Sequence, residues 1–264
     1  MRYVPFFLLL FVACGEVSTS DPNDRPGADN SVYPPSAPLE FKTNYLLRHS
    51  PDCDTLTEFC ARVELRYPEF FGGTAVARTA LNRQVRYWLV SELGYRGTID
   101  AAMPTLESAT DRYFEEFAQY RTDRELPDAW RFAASDGQIL FETDSLLTLQ
   151  LRTSLHTGQF PVERTHLGTF RRRDGYSVTL DQIYDDPFVP VDLARQGLER
   201  TRQDVLRSDG NLNIFQPDRL RPPLNYGVVG DSIVFHYFAG EIAPAAYGPT
   251  RFSIPRFQYA NLVY

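Results

Sequence analysis

The alternation of apolar and polar residues predicts a series of β-strands. From Arg62 to Tyr67 apolar and charged residues alternate, which predicts a half-buried strand that ends at Pro68. From Ser145 to His156 leucines alternate with polar residues, which predicts a long antiparallel strand with one solvated face. The same reasoning predicts shorter strands at 128–133, 138–143, 166–173, 224–229, 232–238 and 250–254.

Two glycine-containing dipeptides predict hairpins between these strands. Asp136-Gly137 separates strands 128–133 and 138–143, and Gly230-Asp231 separates strands 224–229 and 232–238. Glycine and aspartate tolerate the positive φ angles that two-residue hairpin loops require. We therefore expect neighbouring strands to pair in an antiparallel sense.

Apolar residues at helical spacing predict three amphipathic helices. The first reaches Gly94, the second begins after Pro104, and the third ends near Gly210. Their apolar positions are Ala77, Leu81, Val85 and Trp88; Leu106, Ala109, Tyr113, Phe117 and Tyr120; and Val191, Ala194, Leu198, Thr201 and Val205. The predicted fold is α+β, an antiparallel sheet packed by two or three amphipathic helices, helix-rich to about residue 125 and strand-rich beyond.

The N-terminus predicts export and lipid anchoring. A charged start and an apolar run up to Ala13 are typical of a signal peptide, and the run is too short to span a bilayer. Because small residues precede Cys14, we expect residues 1–13 to be a lipoprotein signal peptide and Cys14 to carry the lipid. The protein would then lie in the bacterial cell envelope. The alternative is an ordinary secretory signal followed by an unrelated cysteine.

Residues 14–42 have the composition of a tether. They are rich in proline and small polar residues and have little apolar surface to bury, so we expect them to be disordered. Residues 43–264 remain as the folded domain, which is long enough to build one large core or two fused subdomains.

Charge limits the classes of partner. The formal net charge is −7, and removing residues 1–13 takes away one arginine and no acid, which leaves −8. We expect no nucleic-acid partner, because nucleic acids bind basic surfaces. An acidic surface favours a cationic protein instead.

Cys53 and Cys60 are the two remaining cysteines, and in an exported protein they are expected to form a disulfide. On a helix they would lie about 10.5 Å apart, too far to bridge. A bridge therefore requires a loop or hairpin in this segment. The alternative is a buried, unpaired pair.

We find no catalytic or metal motif that outweighs a structural explanation. Ser232 follows Gly230-Asp231 as a nucleophile would in one class of esterases, but the histidine that those enzymes need far downstream is replaced by His236, four positions away. The other histidines, His49, His156 and His166, are widely spaced and predict no zinc site. The expected sets of catalytic residues, metal ligands and cofactors are all empty.

The segment from Glu241 to Pro249, followed by Phe252 to Pro255, carries a resemblance. It is similar to the closing motif of an envelope domain family that occurs in the lysozyme-sensing anti-sigma factor RsiV, in some peptidoglycan deacetylases as an accessory domain, and in bacterial lipoproteins. The stretch from Val178 to Tyr184 resembles that family's helix start, and Tyr67-Pro68 resembles its first strand. The likeness extends over residues 60–264.

The resemblance implies an α+β domain that binds a ligand without transforming it. Our first hypothesis is a surface-anchored binding domain for a lysozyme-like cationic protein or for peptidoglycan, with His156, Glu241 and Tyr247 as exposed contact residues. The second is a cell-wall polymer hydrolase that uses a carboxylate pair which the sequence does not identify. The consecutive arginines 171–173 favour a solvated strand edge over an anion-binding patch.

Overall fold

A computed structural model describes residues 38–51, 53, 59–100, 102–126, 129–156, 161–184, 186, 188–201 and 220–255. The predicted signal peptide and Cys14 lie outside these ranges, as does nearly all of the predicted tether. The described residues form an α+β fold, as predicted. Its elements are β1 (Leu39–His49), β2 (Ala61–Gly72), α1 (Ala75–Glu92), α2 (Leu106–Arg124), β3 (Arg131–Glu142), β4 (Leu146–His156), β5 (Pro161–Arg171), α3 (Leu180–Ile183), α4 (Val189–Thr201), β6 (Tyr226–Val229), β7 (Ser232–Tyr237) and β8 (Thr250–Pro255).

The first sheet contains five strands in the order β1-β2-β3-β4-β5. All neighbours are antiparallel except β2 and β3, which are parallel. Because parallel strands need a long crossover, α1 and α2 lie in the connection between them. Strand β1 begins at Leu39, so residues 39–42, which we placed in the tether, belong to the sheet.

The two long helices cover one face of this sheet. They begin at threonine N-caps, Thr74 and Thr105, whose hydroxyls accept hydrogen bonds from the first turn. The predicted apolar stripes face the sheet, with the exception of Tyr120, which is 38% exposed. The resulting core includes Val63, Leu65, Leu81, Leu89, Tyr113, Phe117, Leu147, Leu149 and Leu151.

The second sheet contains β6, β7 and β8 and covers part of the opposite face. The predicted solvated face of β4 is therefore wrong at Thr148 and Gln150, which are at most 1% exposed. Thr148 bonds the hydroxyl of Thr169 at 2.8 Å and donates to the carbonyl of Val228, while Arg251 donates to Gln150 at 3.1 Å. Polar groups of the first sheet thus bond the second sheet instead of water.

Asp136-Gly137 is not a hairpin turn, contrary to the prediction. Strand β3 runs straight through it, and Gly137 lies opposite Leu151 in the ladder with β4. A Cβ atom at Gly137 would lie 2.8 Å from Cδ of Pro68. The glycine therefore permits a close approach of β2 to β3. Close approach of another chain segment is a common reason for a glycine within a strand.

The second predicted hairpin is confirmed. Gly230 and Asp231 connect β6 to β7, and Gly230 adopts a φ of 58°. Thr179 and Gln182 form a capping box at the start of α3, where we expected a short helix. Helix α4 is described as far as Thr201, and the predicted end near Gly210 lies outside the described residues.

No helix among the described elements combines the length and the apolar character needed to cross a bilayer.

Candidate functional site

The half of the first sheet that the second sheet leaves open carries a row of side chains across four strands. In the strand register His49 lies opposite Arg62, Arg62 opposite Phe132, and Phe132 opposite His156. Residues paired in this way project on the same side of a sheet. Histidines, an arginine and an aromatic ring that are far apart in sequence therefore become neighbours.

Trp130 lies immediately before β3 and stacks on this row. Its ring is 3.6 Å from the ring of His156, with an interplanar angle of 11°, and it is parallel to Phe132 at 5.8 Å. Trp130 is 40% exposed, whereas His156 is only 8% exposed. The stack therefore supports a tryptophan at the surface in a fixed orientation.

The stack borders a cleft of about 440 Å³. Its walls come from β2, from the start of β3, from the end of β1 and from the cystine that follows it. The described lining residues are His49, Cys53, Cys60, Arg62, Glu64, Trp130, Arg131, Phe132, Ala133 and Ala134. An aromatic surface thus lies beside ionic groups at one end of the sheet.

Cys53 and Cys60 form the predicted disulfide, with their Cα atoms 4.7 Å apart. The bridge lies at the end of the β1–β2 hairpin, where Ser50 and Ala61 exchange hydrogen bonds. Arg131 then donates its backbone N–H to the carbonyl of Cys60 at 3.1 Å. These bonds hold the hairpin end against the start of β3 and so fix the two sides of the cleft.

The cleft lining holds two arginines and one carboxylate. Arg62 forms an ion pair with Glu64 at 2.5 Å, and Arg131 lies over the ring of Tyr113, 4.1 Å from its centroid. Burial raises the pKa of Tyr113 to about 12, so this phenol is neutral beneath the guanidinium. Because Tyr113 belongs to α2, the guanidinium of Arg131 lies on the helical side of the sheet, and the ion pair of Arg62 with Glu64 supplies the ionic groups of the cleft.

The predicted contact residues do not lie together. His156 reaches the cleft only as the inner ring of the stack, so its predicted exposure is wrong. Glu241 lies between β7 and β8, where its carboxylate accepts the N–H of Phe238 at 2.8 Å and shapes the turn. Tyr247 ends a short 3-10 helix and is 38% exposed. Neither of these two lines the cleft.

Trp130 is the surface residue that the sequence analysis missed. It lies within a predicted strand, and Trp130 and Phe132 alternate with Arg131 at that strand's start. Period-two spacing of two aromatic rings was the available signal, since it places both on one face. The pattern does not show whether that face is covered.

The remaining candidate chemistry has structural explanations. Ser232 begins β7 directly after the turn at Gly230 and Asp231, as the predicted hairpin requires. His236 is buried in the same strand, and burial together with the nearby Arg251 and His166 lowers its pKa to about 4. In the part of the chain that the structure describes, no three His, Cys, Asp or Glu side chains cluster as metal ligands.

Part of the chain is similar to a known protein family. Residues 185–256, which include α4 and the second sheet, match the sequence model of the family described as protein of unknown function (DUF3298). The closing motif from Glu241 onward lies within this match. None of the curated proteins matches the chain.

Two crystal structures of DUF3298 family proteins share the fold. The one from Bacteroides fragilis is 16% identical, with a TM-score of 0.65 over 85% of this chain and 94% of its own. The one from Pseudomonas aeruginosa PAO1 is 17% identical, with a TM-score of 0.56 over 84% of this chain and 94% of its own. At this identity the similarity shows a common architecture for both sheets and their helices.

Proposed function

We propose that this protein is a lipid-anchored envelope protein whose domain binds a cell-wall glycan in the cleft beside Trp130. The observation that carries the proposal is the exposed tryptophan face, held by His156 and Phe132 next to ionic groups. Sugar rings present apolar C–H faces, which pack on aromatic rings, and hydroxyls, which bond to charged side chains at the edge. The cleft supplies both kinds of contact.

The dimensions and the polar groups of the cleft agree with such a ligand. Its volume of about 440 Å³ lies within the range of about 300–1,000 Å³ that is usual for small-ligand sites. Arg62, beside its partner Glu64, would bond hydroxyls or the carboxylates that peptidoglycan fragments carry. The disulfide and the hydrogen bond from Arg131 to Cys60 hold these groups in place before a ligand arrives, which lowers the entropic cost of binding.

Titration of the purified full-length protein with soluble peptidoglycan fragments tests the proposal. The chain contains two tryptophans, and Trp88 is 8% exposed, so a ligand in the cleft should change the fluorescence of Trp130. Trp130→Ala should weaken binding, measured by calorimetry, by about tenfold or more, as expected for an aromatic residue at the centre of a site.

Tyr120→Ala is the matched control. Tyr120 is 38% exposed on α2, similar to Trp130, and does not line the cleft, so its removal should change the affinity by less than about twofold. Absence of binding by the unmodified protein, or equal affinity of the Trp130→Ala variant, would contradict the proposal.

A lysozyme-like cationic protein is the second candidate partner. The negative net charge and the resemblance to the lysozyme-sensing family support it. The test is co-elution of the full-length protein with lysozyme at low salt, with loss of the complex at high salt as the charges are screened. Binding that survives Trp130→Ala would place this partner on a surface other than the cleft.

The hydrolase hypothesis predicts turnover rather than stoichiometric binding. The described lining of the cleft offers one carboxylate, Glu64, and it is paired with Arg62. A glycosidase needs two carboxyl groups on opposite sides of the scissile bond. Release of reducing ends from peptidoglycan by the purified protein would favour this alternative and overturn the binding role.

A further inference from the structure

A second and larger concavity lies on the helical side of the molecule. It measures about 710 Å³ and is bounded by α1, the start of α2, and strands β1 and β2. We call it the arginine groove, because α1 contributes three arginines, Arg78, Arg83 and Arg86, to its lining. It shares no described lining residue with the aromatic cleft.

The helix spacing places these arginines along one wall. Arg78, Asn82 and Arg86 are four residues apart and lie on one side of α1, with Arg83 beside them. Asn82 is occupied in holding α1 to β2, since its amide bonds both the N–H and the carbonyl of Phe70, at 2.8 and 2.9 Å. The guanidinium groups belong to residues that span about 12 Å of helix.

These three arginines make no ion pair within the described residues. Several other arginines are paired, as Arg48 is with Asp111 at 2.7 Å and Arg112 with Glu116 at 2.9 Å. The consecutive arginines 171–173 are likewise paired with Glu142 and Asp174. The groove therefore gathers three arginines without an ion pair in one concavity of an acidic protein.

Hydrogen bonding in the groove is also incomplete. Arg78 donates to the carbonyl of Gly72 at 3.1 Å, but Nε of Arg86 is buried and has no acceptor in the described structure. A buried donor without an acceptor is costly, and an external acceptor would remove that cost.

The acidic side chains of the groove do not cancel its charge. Glu69 accepts bonds from Lys42 at 3.0 Å and Asn44 at 2.7 Å, which lower the pKa of its carboxyl group. Glu107 is the other carboxylate in the described lining. Three guanidinium groups thus face one carboxylate that no described cation neutralises.

We propose that the arginine groove binds an extended anion that carries several phosphate groups, such as a segment of a phosphodiester-linked polymer. Guanidinium groups match phosphate oxygens in a bidentate geometry. Because the residues that carry the guanidinium groups are spread along about 12 Å of helix, successive phosphates of a linear chain can each contact an arginine. This site is independent of the aromatic cleft and goes beyond the function proposed above.

Calorimetry on the purified full-length protein tests the proposal with tripolyphosphate as the probe and orthophosphate for comparison. Tripolyphosphate should bind at least about tenfold more tightly than orthophosphate, because it contacts more than one arginine. Arg83→Gln and Arg86→Gln should each weaken tripolyphosphate binding by about tenfold. Arg83 is exposed, so its variant retains the fold and decides the outcome even if Arg86→Gln is unstable.

The matched control is Arg112→Gln, which removes the same charge from the exposed surface of α2 outside the groove. The affinity of this variant for tripolyphosphate should stay within about twofold of that of the unmodified protein. Equal weakening by the control would show a non-specific charge effect and overturn the proposal, as would equal affinities for the two phosphates or no binding at low salt.

The source of the phosphates is distinguished by a vesicle assay. Flotation of the Cys14→Ser protein, which carries no acyl chains, with phosphatidylglycerol vesicles but not with phosphatidylcholine vesicles, reduced by Arg83→Gln, would assign the groove to an anionic lipid surface. Binding of tripolyphosphate without such flotation would assign it to a soluble polymer. Both outcomes retain a site for successive phosphates.

Discussion

At the residue scale, polar side chains between the two sheets take the place of water. Asn225 bonds the edge of β5 through both atoms of its amide, to the N–H of Leu167 and the carbonyl of Thr165. His236, next to this region, is 5% exposed, and neither ring nitrogen has a hydrogen-bond partner in the described structure. This histidine is therefore kept neutral by its environment.

The burial of His236 predicts a pH dependence of stability. The pKa of His236 in the folded protein is lowered from 6.5 to about 4. As the pH falls, the unfolded chain therefore binds a proton at this histidine near pH 6.5, whereas the folded protein binds it only near pH 4. Stability should fall as the pH drops from about 6.5 to about 4, by up to about 3 kcal/mol, with no contribution from this group above that window. Urea unfolding at pH 7.5 and 4.5 measures the loss.

His236→Leu removes the ionisable group and supplies the comparison. Between the two pH values the free energy of unfolding of the variant should fall by about 2–3 kcal/mol less than that of the unmodified protein, because the variant lacks only the protonation of His236. Equal losses for the two proteins would show that His236 does not cause this dependence.

At the element scale, α4 packs on the second sheet through a glycine. A Cβ atom at Gly197 would lie 2.1 Å from Cε2 of Phe252 in β8. The ring of Phe252 is held by Phe235 at 5.5 Å and Tyr237 at 6.3 Å, so it has little freedom to move away. The absence of a side chain at Gly197 thus sets the distance between helix and sheet.

Gly197→Ala should therefore destabilise the protein, although alanine favours helix formation by about 1 kcal/mol relative to glycine. Overpacking a core costs about 1–3 kcal/mol, and the clash here is severe enough for the larger value. We expect a net loss of about 2 kcal/mol in the free energy of unfolding, measured with urea.

A double mutant tests the cause. Adding Phe252→Leu should recover at least about 1 kcal/mol relative to the sum of the single changes, since the two residues contact each other. Gln196→Ala, whose side chain bonds Arg200 at the helix surface, should change stability by less than about 0.5 kcal/mol. Additive effects of Gly197→Ala and Phe252→Leu would exclude the clash as the cause.

At the scale of the whole molecule, the fold separates two kinds of surface. The open half of the first sheet carries the aromatic cleft, and the helical side carries the arginine groove. Between them lies the core that α1 and α2 form with the five-stranded sheet. The two proposed sites therefore lie on different sides of the domain.

Anchoring at Cys14 is a prediction for the whole molecule. Mass spectrometry of the membrane-extracted protein should find Cys14 as the first residue with acyl chains attached. Two or more acyl chains anchor a protein in a membrane far more firmly than one. Cys14→Ser should move the protein to the soluble fraction. A mature protein that retains Met1 and carries no lipid would refute the anchor.

The sequence by itself determined most of the elements. The helical stripes of α1 and α2, the alternation in β2 and β4 and the turn at Gly230 were predicted because each depends on local geometry. The cystine was predicted from the expected export of the chain. The tertiary structure decided what covers each face. Thr148 and Gln150 were correctly assigned to the polar side of β4, but a polar side chain bonds a second sheet as well as it bonds water.

For the same reason the sequence predicted neither the aromatic cleft nor the arginine groove. Gly137 permits a turn or a close strand approach, and only the position of Pro68 determines which one occurs. The parallel pairing of β2 with β3 then places Arg62 beside Phe132, and the register with β4 adds His156. Local patterns encode which side of an element is apolar, whereas the neighbours that complete a cleft are brought together by contacts distant in sequence.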